Sequence, residues 1–326
     1  MHRSIAAAAA CGLLLLAGCG SEDDEPAAVT AASEPAATAG AAATYTPVSD
    51  VSANAAIGQD VAAIRALLEP EAEGAKPDFA AAARIWEKGQ NSKKSDGTNR
   101  TLAGFVEEHP VGTRVAHALA GRGTAAGLSD DARVEWVDKG MVVTLKVHAL
   151  DEFEGAKEKL EAGELDPEEG AAHNVDEVWA YFDAEGEGVV ATAAKRAKDF
   201  GLDEHELAND VIGGITAAQQ AVSAKDAAAL AAATESTRGA MNRIFALAVK
   251  KYAVEGAKDA TARAEGLAFS WGLIGQLDPA DLKTIQSALG PQAAAGAATV
   301  VADTLDAAKA KLGFAGPLPA YPAQTP

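Results

Sequence analysis

The chain has 326 residues, of which 48% are hydrophobic but only 5% aromatic, with a formal net charge of −19 and two cysteines. A chain this acidic repels phosphate backbones and anionic headgroups, which excludes nucleic-acid binding and direct binding of the folded part to an anionic membrane. It attracts cations instead, although the same charge also serves solubility.

The first residues, MHRSIAAAAACGLLLLAGCG, have a basic head, an apolar run from Ile5 to Leu16 and a small-residue exit. That run is shorter than the roughly 20 residues a bilayer core demands, so residues 1–18 read as a secretion signal. Leu16, Ala17, Gly18 and Cys19 resemble the bacterial lipobox, in which the cysteine is acylated and becomes the new N-terminus. Lipidation of Cys19 would tether the protein, because two or more acyl chains anchor stably. The lack of Asp at position 20 favours the outer membrane if the cell has two. An ordinary signal peptide with a stray cysteine is the plainer alternative. With Cys11 removed and Cys19 lipidated, the folded part has no thiol, so any metal there must be held by nitrogen and oxygen.

Residues 19–44 comprise Cys19 and an Ala/Pro/Glu-rich spacer that lacks the apolar surface to offset ordering entropy, and they are expected to be disordered. Residues 316–326, GPLPAYPAQTP, read as a short Pro-rich extended tail. The remaining block, 45–315, is long enough for one large domain with a sizeable core.

This block is Ala-rich and punctuated as helices. Asp78 precedes FAAAARIWEK and Gly89 follows it, an N-cap and a C′ glycine. Asp203 and Glu206 form a capping-box pattern, and Asp278-Pro279 places an acid before a proline at N1. The stretch MVVTLKV (141–147) could be a strand read alone. It belongs, however, to a segment from Ser129 in which Val134, Val137, Met141, Leu145 and His148 step at three and four, so a helix is expected. The fold class is all-α, a multi-helix bundle of roughly ten helices. Between two of them lies a polar loop, NSKKSDGTNR (91–100). Lys93, Lys94 and Arg100 around Gly97 could receive an anion, but side chains capping adjacent helix ends are the simpler reading.

The stretch LDPEEGAAHNVDEVWAY (165–181) sets His173, Asp176 and Glu177 at i, i+3 and i+4, neighbours on one helix face. A surface ion pair is the ordinary outcome of such spacing. His148 and Glu152 repeat the pattern, and the Gly-, Glu- and Lys-rich residues between would let the two segments pack antiparallel. Two imidazoles and two carboxylates would then face each other, as in the iron and manganese sites of helix bundles. The alternative for His148 is a hydrogen-bonded core histidine. His109, before Pro110, is placed to satisfy free carbonyls at a helix end. His205 lies in a first turn crowded with acids, His117 lacks an acid three or four residues on, and Tyr181 and Tyr252 read as packing residues that could also serve as phenolate ligands to ferric iron.

Five stretches carry a resemblance to a known family: NSKKSDGTNRTLAGF (91–105), ARVEWVDKGM (132–141), GELDPEEGAAHNVDEVWAYF (163–182), ATAAKRAKDFG (191–201) and ARAEGLAFSW (262–271). Together the chain resembles the low-iron-inducible, high-CO2-inducible periplasmic proteins of algae and their bacterial relatives, the iron-assimilation proteins. The resemblance covers about residues 50–310. It implies extracytoplasmic iron binding or delivery, with no known catalytic reaction. It also places Glu135 and Glu265, with His173, Asp176 and Glu177, in family-like stretches as candidate ligands. Where the family has a carboxylate directly after a histidine, this chain has Ala149 after His148. The expected function is therefore a lipid-anchored protein that captures Fe²⁺ or Fe³⁺, or another divalent metal, and passes it to a transporter or receptor. The rivals are a non-metal structural or interaction lipoprotein of the envelope and, more weakly, a metallohydrolase, for which no HExxH or GxSxG is present.

Overall fold

Helices account for nearly all regular structure in the computed structural model, which describes residues 41–290, 293 and 295–322. The signal, Cys19 and most of the spacer lie outside the described residues. A single turn, Ser52–Ala55, precedes α1 (Ile57–Leu68), α2 (Phe79–Lys88), α3 (Pro110–Ala120), α4 (Asp130–Ala162), α5 (Ala171–Asp183) and α6 (Val189–Asp199). Then follow α7 (Glu206–Ala224), α8 (Ala227–Glu255), α9 (Ala260–Ser270), α10 (Pro279–Ala288) and α11 (Ala297–Ala308). The all-α bundle of roughly ten helices is therefore what the chain forms. Among the described residues there is no strand, only an isolated bridge between Lys93 and Asn99, and no helix is long and apolar enough to cross a membrane.

The longest helix, α4, is the hub. Ser129 starts it by accepting a hydrogen bond from the Ala132 amide, two acids follow in the first turn, and Gly163 ends it at φ 76°. Helices α3, α5, α8 and α9 pack around it. Every residue from Gly140 to Lys146 is buried. A helix enclosed on all sides is apolar on all sides, which is why MVVTLKV resembles a strand when read alone. Even Lys146 is inside, donating to Asn242 Oδ1 at 2.6 Å and to the Gly272 carbonyl. Burial pushes its amine down to about 7, with Arg238 adding to the effect.

Helix punctuation holds at α2, where Asp78 caps the Ala81 amide and Gly89 takes φ 56°. Elsewhere the details differ. Asp203 accepts from the His205 amide, so it shapes the turn before α7 rather than closing a capping box. Asp278 precedes Pro279 as expected, yet its carboxylate pairs with Lys311 instead of capping. His109 does not serve carbonyls. It sits at the N-cap of α3, where Nδ1 accepts from the Val111 amide at 3.2 Å. The 91–100 loop turns through Gly97 at φ 83°, and Asn99 Nδ2 donates to the Lys88 and Gly89 carbonyls at the end of α2. Residues 317–322 are extended but docked: Lys250 donates to the Leu318 carbonyl, and Tyr321 to Glu255 at 2.6 Å.

Close approach of α3 to α4 needs Gly140, where a Cβ would lie 2.3 Å from Val115 Cγ2. Gly140→Ala should therefore destabilise by about 1–3 kcal/mol through overpacking. In a Val115→Ala background the same change should become neutral or stabilising, because alanine is the better helix former by about 1 kcal/mol. Urea unfolding of the four proteins in that cycle measures the reversal.

Candidate metal centre

Helices α4 and α5 form an antiparallel hairpin across the turn at residues 163–170. This brings the two i, i+4 pairs together. On α4, His148 Nε2 lies 3.4 Å from Glu152 Oε1; on α5, His173 Nε2 lies 3.6 Å from Glu177 Oε1. The helices join through their acids, with the Glu152 and Glu177 carboxyls within hydrogen-bonding reach. Asn174, on α5, donates to Glu152 Oε2 at 2.6 Å. It fits there because residue 155 is glycine: a Cβ would stand 2.7 Å from its Nδ2.

The environment of the α4 pair favours its uncharged forms. Burial, with Arg100 nearby, holds the His148 imidazole down to about 4, so it is neutral at pH 7. Its ring stacks on Phe105, centroids 3.7 Å apart, and lies 4.5 Å from that of Tyr181. Burial, and then the facing Glu177 carboxylate, push Glu152 up to about 8. At neutral pH Glu152 therefore favours its protonated form beside Glu177. Tyr181 is buried and its hydroxyl accepts from Asn54 Nδ2 at 2.9 Å. Burial, reinforced by Glu177 and Glu152, keeps that phenol protonated far above its ordinary value.

A segment before α1 closes over this hairpin. Asn54 Nδ2 donates to Glu177 Oε1 at 2.5 Å. The Ser49 hydroxyl lies 2.9 Å from His173 Nδ1 and 2.7 Å from Asp176 Oδ2. Asp176 itself is fully buried. It accepts from Tyr45 Oη at 2.5 Å and Gln219 Nε2 at 2.8 Å through Oδ1, and from the Val48 and Ser49 amides through Oδ2. Its lone pairs are thus committed, and it supports His173 through Ser49 rather than facing the His–Glu pairs. Arg100, considered above for an anion, points its guanidinium at Glu177, 3.9 Å away.

Glu135 and Glu265 lie elsewhere. Glu135 is thirteen residues before His148 on α4, about 20 Å along the axis. Both acids surround an ammonium already present, with Lys139 Nζ 2.9 Å from Glu135, 2.6 Å from Asp138 and 3.4 Å from Glu265. Arg65 adds a contact to Asp138 at 2.6 Å. Burial would raise Asp138, but Lys139 and Arg65 hold it down to about 2. Burial raises Glu135, with Lys139 opposing and Glu265 adding to the rise. Tyr252 stacks on Phe269, centroids 5.7 Å apart, and burial, with Glu265 adding to it, raises its phenol. The structure therefore does not bring Glu135 or Glu265 to the His–Glu pairs, because a lysine supplies their counter-charge.

Among the described residues, no three His, Cys, Asp or Glu side chains already meet the geometry of a bound ion. The nitrogen–oxygen separations within each pair are nevertheless close to the edge of about 3.0–3.4 Å that two donors span when bonded to one ion at about 2.1 Å. Sequence reasoning missed Ser49, Asn54 and Asn174, which hold these donors. Only Arg100 carried a signal, as a cation in a conspicuous polar loop.

The proton favoured on Glu152 has a measurable cost. Between about pH 4.5 and 8 the native chain retains a proton on Glu152 that the unfolded chain has released, so native stability falls as pH rises through this window. Metal-free Glu152→Gln removes that dependence and should gain on wild type by a few kcal/mol, on the order expected from linkage, between pH 5 and pH 8.5. Denaturant titrations at both pH values measure the gain. Lys139→Met leaves Glu135, Asp138 and Glu265 without their ammonium and should cost about 3–5 kcal/mol. Thermal melts of the variant measure that loss.

The chain was compared with known proteins. A family model described as low iron-inducible periplasmic protein matches residues 24–310. No curated protein and no solved structure matches. The match takes in the strap formed by residues 45–54, the α4–α5 hairpin and the Lys139 cluster alike, and the chain belongs to the family of low iron-inducible periplasmic proteins.

Proposed function

We propose that the protein captures iron outside the cytoplasm and passes it to a transporter or receptor, without a chemical reaction of its own. His148, Glu152, His173 and Glu177 supply the ligands. One observation carries this reading: two imidazole–carboxylate pairs lie on facing helices with their acids within hydrogen-bonding reach, burial favours a proton on Glu152, and the cation paired with them, Arg100 at 3.9 Å from Glu177, is held less closely than Lys139 is in the other cluster. An incoming cation displaces that proton and draws the four donors together. Imidazole and carboxylate suit Fe²⁺ and Fe³⁺, and other divalent metals as competitors. The thiol-free composition of the folded part agrees with such a donor set. Membership of a low iron-inducible periplasmic family supports iron as the cargo. A lipid on Cys19, at the outer membrane if there are two, would keep the carrier at the surface from which uptake proceeds.

Calorimetry of the purified protein with Fe²⁺ under anaerobic conditions should give saturable binding accompanied by proton release near pH 7. His173→Ala combined with Glu177→Ala should weaken it at least tenfold. Unchanged stoichiometry and affinity in the double variant would eliminate this site. Wild-type binding no tighter than to a generic acidic surface would favour a structural envelope lipoprotein. Cys19→Ser should move the protein from the membrane fraction to the soluble fraction.

A further inference from the structure

The hydrogen-bond directions around Ser49 decide which nitrogen of His173 is available. A serine hydroxyl has one hydrogen and two lone pairs. Ser49 Oγ stands 2.7 Å from Asp176 Oδ2, a carboxylate oxygen that also accepts from the Val48 and Ser49 amides at 2.9 and 2.8 Å. Its partner oxygen accepts from Tyr45 and Gln219. A carboxylate met by donors on all sides is ionised and can only accept, so the Ser49 hydrogen goes to Asp176. His173 Nδ1, 2.9 Å from Ser49 Oγ, then faces a lone pair and must carry a hydrogen of its own. A neutral imidazole protonated at Nδ1 has its lone pair on Nε2, the atom that looks toward Glu177.

We propose that Ser49 is a positioning residue for the iron site: relaying the Asp176 charge, it fixes His173 in the Nδ1–H tautomer and presents Nε2 to the metal. Its importance for affinity rests on the iron reading above, but the tautomer does not. The relay also explains why a segment remote from the helices belongs to the site. Asn54, five residues on, aligns Glu177 in the same way by donating to Oε1. The strap at residues 45–54 therefore orients both donors contributed by α5. Outer partners of this kind typically govern 10–100-fold in metal affinity.

Long-range proton–nitrogen NMR of the metal-free protein at pH 8.5 reads the tautomer directly. His173 should show a protonated Nδ1 and a bare Nε2. Ser49→Ala should introduce the Nε2–H form and reduce Fe²⁺ affinity 10–100-fold, and Ser49→Thr, which keeps the hydroxyl, should restore both. A wild-type His173 protonated at Nε2 would overturn the relay, as would a Ser49→Ala protein with unchanged tautomer and affinity. Thermal melts of the same variants identify a general loss of folding, which would not by itself change the imidazole signature of the folded fraction. If wild type shows the Nδ1–H tautomer but binds no iron, the proposed cargo is wrong and the Ser49 assignment stands.

Discussion

The carboxylate of Asp176 is the constraint on which the candidate site depends. It is wholly inside the protein, where an ionised group is tolerated only if its lone pairs are filled. They are filled from two directions, by the strap through Tyr45, Val48 and Ser49 and by α7 through Gln219. Each hydrogen bond to such a charge contributes about 1.5–3 kcal/mol. One side chain of α5 thereby joins three parts of the chain and delivers Ser49 and Asn54 to the donors beside it.

Two acid clusters on the same long helix are neutralised in opposite ways. Near its start, Glu135 and Asp138 enclose the ammonium of Lys139, which is covalently part of the chain and cannot leave. Toward its end, Glu152 meets Glu177 across the hairpin, where Arg100 stands 3.9 Å from Glu177 and burial with the facing carboxylate favours a proton on Glu152. A proton exchanges with solvent and with metal ions, whereas a lysine does not. Residue types that look interchangeable in the sequence therefore do different work, and an ammonium in close contact with three acids separates an internal buttress from a candidate receptor.

Much of this was legible in the chain before its structure. Local rules found the helices because their determinants are local: Asp78 caps the amide three residues away, and the step of three and four from Val134 to His148 outweighed the strand-like MVVTLKV. The two His–Glu pairs were legible for the same reason, and the loop between them predicted their antiparallel packing. The assignment of Glu135 and Glu265 to the same site came from resemblance rather than spacing. The i, i+4 relation of Glu135 to Lys139 was the contrary local signal. Nothing local could reveal Ser49 or Asn54. They are ordinary polar residues in a segment of small ones, and their partners lie more than 120 positions away.

That separation carries a consequence for how the protein matures. Tyr45 and Asp176 are 131 positions apart, so the strap closes a long loop and gains its bonds only once α5 and α7 are in place. In a chain made N-terminus first, the strap precedes its partners and waits for more than a hundred residues to follow. The donors on α5 take their final orientation only once the strap has closed over them.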